Sequence, residues 1–175
     1  AVFTGAVIIR PSIIFGKEDA FLIKFPAMAT FSPALPLIGG GVTKFQPVYV
    51  GDVAEAIARA TVSPEAEGKT FELGGPSVWT FKDILKFILR ETNRERFLIP
   101  VPFFAARILG SLAQIPAAIG LKPALTKDQV LLLENDNLVS PSAQGLAELG
   151  VEPTGLEAIA PDYLYRYRVG GQYAE

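Results

Sequence analysis

Apolar and polar positions change rhythm along this chain, and each change marks an element. Gly5-Ala6-Val7-Ile8-Ile9 is an unbroken apolar run rich in β-branched residues and closed by Arg10-Pro11. Such a run predicts a strand buried on both faces, as in a parallel sheet. Phe45 to Val50 and Thr70 to Leu73 predict two more strands, and Phe97 to Val101 a short fourth. After Thr80 the rhythm becomes helical: Phe81, Ile84, Leu85 and Ile88 form a single apolar stripe.

Capping-box spacing, in which two side chains satisfy orphan amides reciprocally, recurs at Asp52/Glu55, Thr80/Asp83, Thr126/Gln129 and Thr154/Glu157. Ser140-Pro141 reads as N-cap and first helical residue, with Gly150 as the stop. Prolines at 26, 33, 36 and 47 predict a long loop over 27–43 that ends in Gly39-Gly40-Gly41, a place for a lid or binding loop. The tail Tyr163-Leu164-Tyr165-Arg166-Tyr167-Arg168 ends the helix begun near Thr154, which Pro161 must break or kink. Strand, helix, strand, helix and then mostly helices make this an α/β chain with a helical tail.

Composition narrows the chemistry. The 175 residues carry 16 basic and 18 acidic side chains, a formal charge of −2, which excludes a strongly basic nucleic-acid module. Half of the residues are apolar, which excludes disorder. There is no His and no Cys. Serine–histidine and cysteine–histidine nucleophiles are therefore excluded, as are thiolate or imidazole metal sites. Chemistry here must use carboxylates, Lys, Tyr, Ser or a bound cofactor. The chain opens on Ala1 and runs directly into a strand, so it reads as the later part of a larger protein.

Few local motifs carry a function. Thr4-Gly5-Ala6 leads into a strand rather than a helix and is no dinucleotide fingerprint. The carboxylate pairs Glu18/Asp19, Asp52/Glu55 and Glu134/Asp136 show no acid–base arrangement, and the last reads as a polar helix exit, with oxygen ligation of a metal the weaker reading. Phe103–Leu121 holds one charge, Arg107, and Phe104, Ile108, Leu112 and Ile115 fall on one helical face. A buried helix pair is the first reading of it, a membrane-surface or partner-docking helix the second, and a transmembrane span the weakest.

Longer stretches are familiar. Arg10-Pro11-Ser12-Ile13-Ile14-Phe15-Gly16 resembles the Arg-Pro-Ser strand exit of extended short-chain dehydrogenases, the NAD(P)-dependent epimerase/dehydratase family. Gln46-Pro47-Val48-Tyr49-Val50-Gly51-Asp52-Val53-Ala54 and Phe71-Glu72-Leu73-Gly74-Gly75-Pro76 are similar to that family's next two junctions. Leu125-Thr126-Lys127-Asp128-Gln129-Val130, Leu133-Glu134-Asn135-Asp136-Asn137 and the Tyr163–Arg168 tail resemble the atypical branch that contains the 39 kDa accessory subunit of respiratory complex I.

The resemblance covers the whole chain but only the family's C-terminal half. It implies the last strands of a Rossmann-type parallel sheet, near 5–16 and 45–62, and a mainly helical substrate-side subdomain at 17–44 and 69–175. It implies NAD or NADP in the parent protein, with Pro11, Ser12, Ile13 and Ile14 on the nicotinamide side. It sets Arg10, Gln46 and Tyr49 toward a substrate cleft, against the alternatives of a local ion pair for Arg10 and a core position for Tyr49. It implies a respiratory-complex accessory role in the cytoplasm, with a peripheral place on the inner membrane (on the matrix side in a eukaryote) as the second reading and Phe103–Leu121 on a membrane or membrane-protein partner. An active epimerase, dehydratase or reductase of a sugar nucleotide or similar carbonyl substrate is the alternative. The family's glycine fingerprint and Tyr-x-x-x-Lys pair are absent from these residues, so the chain alone is expected to be inactive and to bind nucleotide weakly.

Overall fold

The computed structural model describes residues 5–19, 21–112 and 127–171. Its strands are β1 (Ile8–Pro11), β2 (Ile14–Phe15), β3 (Ala34–Ile38), β4 (Lys44–Phe45), β5 (Val48–Tyr49), β6 (Thr70–Leu73), β7 (Trp79–Thr80) and β8 (Phe97–Val101). Its helices are α1 (Lys24–Phe31), α2 (Val50–Val62), α3 (Phe81–Glu91), α4 (Phe103–Leu112), α5 (Lys127–Leu132), α6 (Leu156–Ile159) and α7 (Pro161–Leu164). β1 with β6, β2 with β5, and β3 with β8 are parallel pairs. The chain divides into two units: Ala1–Asp19, Phe45–Trp79 and Asn137–Tyr163 form the first, and Ala20–Lys44, Thr80–Asp136 and Leu164–Glu175 the second.

In the first unit β1 and β6 pair from Ile8↔Thr70 to Pro11↔Leu73. The ladder thus starts later than the run Gly5–Ile9 suggested and takes in Arg10 and Pro11, a proline being tolerated at a strand end. The expected burial on both faces is also corrected. Ile8 is 46% exposed, so its face of β1 is only partly covered among the described residues, and β6 is the one strand paired with β1 there. The core lies on the other side of the unit. Val53, Ala56 and Ala60 of α2 share one cluster with Phe71 and Leu73 of β6 and with Leu146, Leu149 and Val151. Each large side chain so buried contributes about 1.5–3 kcal/mol of transfer free energy.

Two of the expected capping boxes in this unit are something else. α2 starts at Val50 with Tyr49 as N-cap, and Asp52 lies buried inside the first turn. Both oxygens of its carboxylate accept from Thr154, the N–H at 2.6 Å and the hydroxyl at 2.9 Å. Glu55 instead pairs with Arg59 one turn along, at 2.6 Å. With Thr154 engaged, Gly155 is the N-cap of α6. Ser140-Pro141 opens a turn rather than an α-helix, and a short 3₁₀ turn at Ala147–Leu149 follows. Gly150 does end it, in the left-handed conformation at φ 71°.

The second unit keeps its local signals. The Thr80 hydroxyl accepts the Asp83 N–H at 3.1 Å and donates to the Asp83 carboxylate at 2.6 Å, which starts α3. Phe81, Ile84, Leu85 and Ile88 are buried as the stripe predicts. Phe81 joins Phe21 and Phe25 in a ring cluster with centroids 5.3–6.3 Å apart. The long loop over 27–43 is corrected: α1 runs to Phe31, and Ala34–Ile38 pairs in parallel with Phe97–Val101 over five residues. Gly39–Gly41 is a tight 3₁₀ turn, with Gly39 at φ 59° beneath the Phe103 ring, where a Cβ would overlap it. The Thr126/Gln129 box and the stretch 113–121 lie outside the described residues. No helix among the described residues is long and apolar enough to cross a membrane.

Candidate functional site

The carboxyl ends of β1 and β6 lie side by side, and their register sets Arg10 opposite Glu72. Such strand ends are where open α/β sheets hold ligands. A pocket of about 230 Å³ opens there, lined by Arg10, Pro11, Ser12, Glu72 and the segment Asn137 to Ser140. Drug-sized ligand pockets begin near ~300 Å³, so this one has room for a single ring or a small acid rather than a whole dinucleotide.

Hydrogen bonds hold its walls. Buried Ser12 donates its hydroxyl to the Asn137 carbonyl at 2.9 Å. The Gln46 N–H donates to the same carbonyl at 3.1 Å. The Gln46 side chain then reaches both ways: its Oε1 accepts the Val139 N–H at 3.2 Å, and its Nε2 donates to the Gly75 carbonyl at 2.8 Å. Glu72 accepts the Ser140 N–H at 2.8 Å. The Asn137–Ser140 wall is thus pinned to β1, β5's approach and β6 by side chains rather than by a long ladder.

The charges in the pocket are unequal in freedom. Arg10 Nη1 stands 3.9 Å from Glu72 Oε1, and the Arg10 side chain is 64% exposed. So long a contact at so open a site holds the guanidinium loosely. Glu72 is the fixed partner. The Ser140 N–H, then its hydroxyl, then Arg10 hold the Glu72 carboxyl below the usual glutamate range. The pocket therefore combines an anchored carboxylate with a planar, mobile cation able to meet a carboxylate, phosphate or carbonyl.

Of the residues singled out in the sequence, Arg10, Pro11 and Ser12 line this pocket. Ser12 does so with its hydroxyl already committed to the chain. Ile13 and Ile14 continue into β2, where Ile14 is partly exposed. Gln46 fastens the wall from behind, and the Tyr49 ring packs on Phe15 with centroids 5.7 Å apart. Glu72 and Asn137 to Ser140 were not singled out. The parallel register of Arg10 with Glu72 was the signal that could have found the first.

The second unit's candidate segment gives a partial view. On α4, Phe104 and Ile108 are exposed, as an unburied face requires, whereas Ala106 is buried. Arg107 forms a two-pronged ion pair with Glu134 at 2.5 and 2.6 Å. Asp136 accepts the Lys44 N–H at 2.8 Å. Both carboxylates of the 134–136 stretch thus have protein partners.

The fit of a nicotinamide dinucleotide divides along its length. Exposed Pro11 offers an apolar edge to a flat ring, and Arg10 a donor beside it. None of the described helices opens on a Gly-x-Gly-x-x-Gly turn, so these residues supply no pyrophosphate cradle. The pocket is sized for one ring of such a molecule and not for the whole of it.

No family model matches the chain. Among curated proteins it is 39% identical over 169 residues to mouse NADH dehydrogenase [ubiquinone] 1 alpha subcomplex subunit 9, mitochondrial, covering 96% of this chain and 44% of that protein. The Arabidopsis thaliana protein of the same name is 36% identical over 175 residues, covering 95% and 43%. The mitochondrial 40 kDa subunit of NADH-ubiquinone oxidoreductase from Neurospora crassa is 28% identical over 173 residues, covering 99% and 44%. The chain spans less than half the length of these relatives. Among solved structures, human epimerase family protein SDR39U1 with NADPH matches with a TM-score of 0.64 at 18% identity, over 89% of this chain and 47% of that one. The dTDP-glucose 4,6-dehydratase DesIV of Streptomyces venezuelae, with NAD and TYD bound, matches at 0.59 and 16%, over 91% and 42%. These two show the fold, a Rossmann-like short-chain dehydrogenase architecture. Sequence places the chain in the family of the alpha subcomplex subunit 9 proteins, and its fold is Rossmann-like.

Proposed function

We propose that this chain is part of a nicotinamide-dinucleotide-binding accessory subunit of respiratory NADH:quinone oxidoreductase, and that it does not itself carry out hydride transfer. The observation that carries this reading is the 39% identity to mouse subunit 9 along nearly the whole chain. The pocket at the ends of β1 and β6 supports a contribution to one end of a nucleotide site, with Pro11, Ser12, Ile13 and Ile14 toward the nicotinamide and Arg10 toward a carbonyl or acid. Gln46 acts there as a positioning residue, since its amide is consumed by Gly75 and Val139.

The chemistry of the tyrosines supports an inactive role for this part. Tyr49, Tyr163, Tyr165 and Tyr167 are followed four places on by Val53, Tyr167, Val169 and Gly171, none of them a lysine. Tyr163 is fully buried with its hydroxyl 3.5 Å from Asp19, and burial followed by the Asp19 charge pushes its phenol well above the ordinary tyrosine value. A proton-transfer tyrosine needs the opposite shift. The subunit would lie peripherally at the inner membrane, with Phe103–Leu121 toward a membrane or membrane-protein partner.

Calorimetry tests the division of labour. A protein of the relatives' full length carrying this chain is expected to bind NADPH or NADH, and the 175 residues alone to show no micromolar affinity. Its removal is expected to impair assembly of the respiratory complex. Turnover of a sugar nucleotide by the full-length protein, with complex assembly intact in its absence, would overturn the reading in favour of an active epimerase or dehydratase.

A further inference from the structure

Two phenylalanines in the second unit stand almost fully in solvent: Phe31 is 91% exposed and Phe97 78%. A single exposed aromatic is ordinary, but these two belong to one small edge. The Phe97 N–H donates to the Pro33 carbonyl at 3.1 Å, and Phe97 is the register partner of Ala34, three residues from Phe31. Arg96 Nε donates to the Ala29 carbonyl at 2.8 Å, two residues before Phe31. The Arg96-Phe97 pair is therefore stapled to the end of α1. Along β8 the next residue on the Phe97 face, Ile99, is also exposed, so the apolar edge continues.

Charge borders this edge. The stretches 90–97 and 165–168 hold five arginines and two glutamates, in a chain whose net charge is −2. They are tied together at the far end of α3. Arg94 Nε donates to the Tyr167 carbonyl at 2.7 Å, and Arg168 Nε donates to the Glu91 carbonyl at 2.9 Å. Arg166 lies over the Tyr167 ring, 5.9 Å from its centroid, and Tyr165 is 43% exposed. Exposed Phe with Arg and Tyr beside it matches the chemistry of an interfacial membrane anchor, in which rings enter the headgroup boundary and guanidiniums meet lipid phosphates.

We infer that the Phe31/Phe97 edge, with its Arg90–Arg96 and Arg166–Arg168 border, docks on an anionic phospholipid surface. The inference deepens the peripheral-membrane part of the proposed function and rests on it, but it assigns lipid contact to residues outside Phe103–Leu121. Arg90 pairs with Glu91 at 3.1 Å, and the two stretches still hold more arginines than glutamates, an excess of guanidiniums that favours phosphate-bearing headgroups over an apolar protein face.

Flotation of the full-length protein with phosphatidylcholine vesicles, with and without about one quarter phosphatidylglycerol, tests it. The wild type is expected to bind the anionic vesicles, more weakly as salt rises, and to bind phosphatidylcholine alone poorly. Phe31→Ser with Phe97→Ser is expected to weaken anionic-vesicle binding roughly tenfold or more at unchanged circular dichroism, because both rings are exposed in the folded chain. Equal binding by that double variant would overturn the inference while leaving the peripheral reading standing, as would loss of binding in Phe104→Ser with Ile108→Ser instead. Failure of the wild type to bind either vesicle would overturn both.

Discussion

Asp52 and Thr154 are joined by two hydrogen bonds from the Thr154 N–H and hydroxyl to opposite oxygens of one buried carboxylate, at 2.6 and 2.9 Å. They tie the first turn of α2 to the segment that leads into α6. A hydrogen bond to a charged group is worth about 1.5–3 kcal/mol, and removing the acceptor also strands a backbone amide. Asp52→Ala is therefore expected to destabilise the chain by about 2–4 kcal/mol in denaturant unfolding. Thr154→Val keeps the backbone bond, removes one bond to the carboxylate and should cost less, about 1.5–2 kcal/mol. Equal, small losses in both variants would remove this link from the account of stability.

Gln46 is expected to behave as a fastener rather than a ligand contact. Gln46→Leu retains bulk but withdraws the acceptor from the Val139 N–H and the donor from the Gly75 carbonyl. About 1–3 kcal/mol of stability should go, with faster hydrogen exchange at the Val139 amide as the local signature. Unchanged exchange at Val139 would show that the pocket wall is held without it.

How much of this could be read from the sequence depends on range. Thr80 and Asp83 are three residues apart, their bond is local, and the start of α3 was legible. Asp52 and Thr154 form a bond across 102 residues that spacing cannot reveal, so two cap-like patterns were in fact halves of one tertiary contact. Ala34–Ile38 was hidden for another reason. Pro36 lies within it and Pro100 within its partner, and prolines argue against a strand until it is known to have a neighbour on one side only. The pocket was half legible: the Arg10-Pro11-Ser12 exit was familiar, but Glu72 and Asn137 to Ser140 join it only through register and through Gln46.

Two glycines with different surroundings make a paired test of backbone demand. A Cβ on Gly75 would overlap the Pro47 carbonyl oxygen, a backbone atom that cannot turn aside. Gly40 sits at φ 71°, with nothing within 4 Å of where its Cβ would be. Gly40→Ala should cost only the left-handed backbone penalty, about 1–2 kcal/mol. Gly75→Ala should cost more, because Pro47 precedes β5 and its displacement would disturb the anchor of the pocket wall. Thermal unfolding of the two variants in parallel gives the order, and a milder effect at Gly75 would contradict the packing described here.

Glu72 leads to the pH dependence. The Ser140 N–H, the Ser140 hydroxyl and Arg10 hold its folded-state pKa below the ordinary value of 4.5. Glu134 is lowered by Arg107, and Glu148 by the Gly145 N–H. For each group the unfolded chain binds a proton more readily than the folded one. Their contribution to stability is therefore fully present above the ordinary glutamate value and is lost as pH falls through the lower folded value. With no histidine in the chain, no imidazole adds a slope between pH 5 and 8. Chemical-denaturation midpoints should thus stay level across the neutral range and drop only in acid. Glu72→Gln, which removes one of the shifted carboxylates, should shallow that acid slope. A Glu72 carboxyl found by NMR to titrate above its ordinary value would contradict the Ser140 anchoring and, with it, the fixed half of the pocket's charge pair.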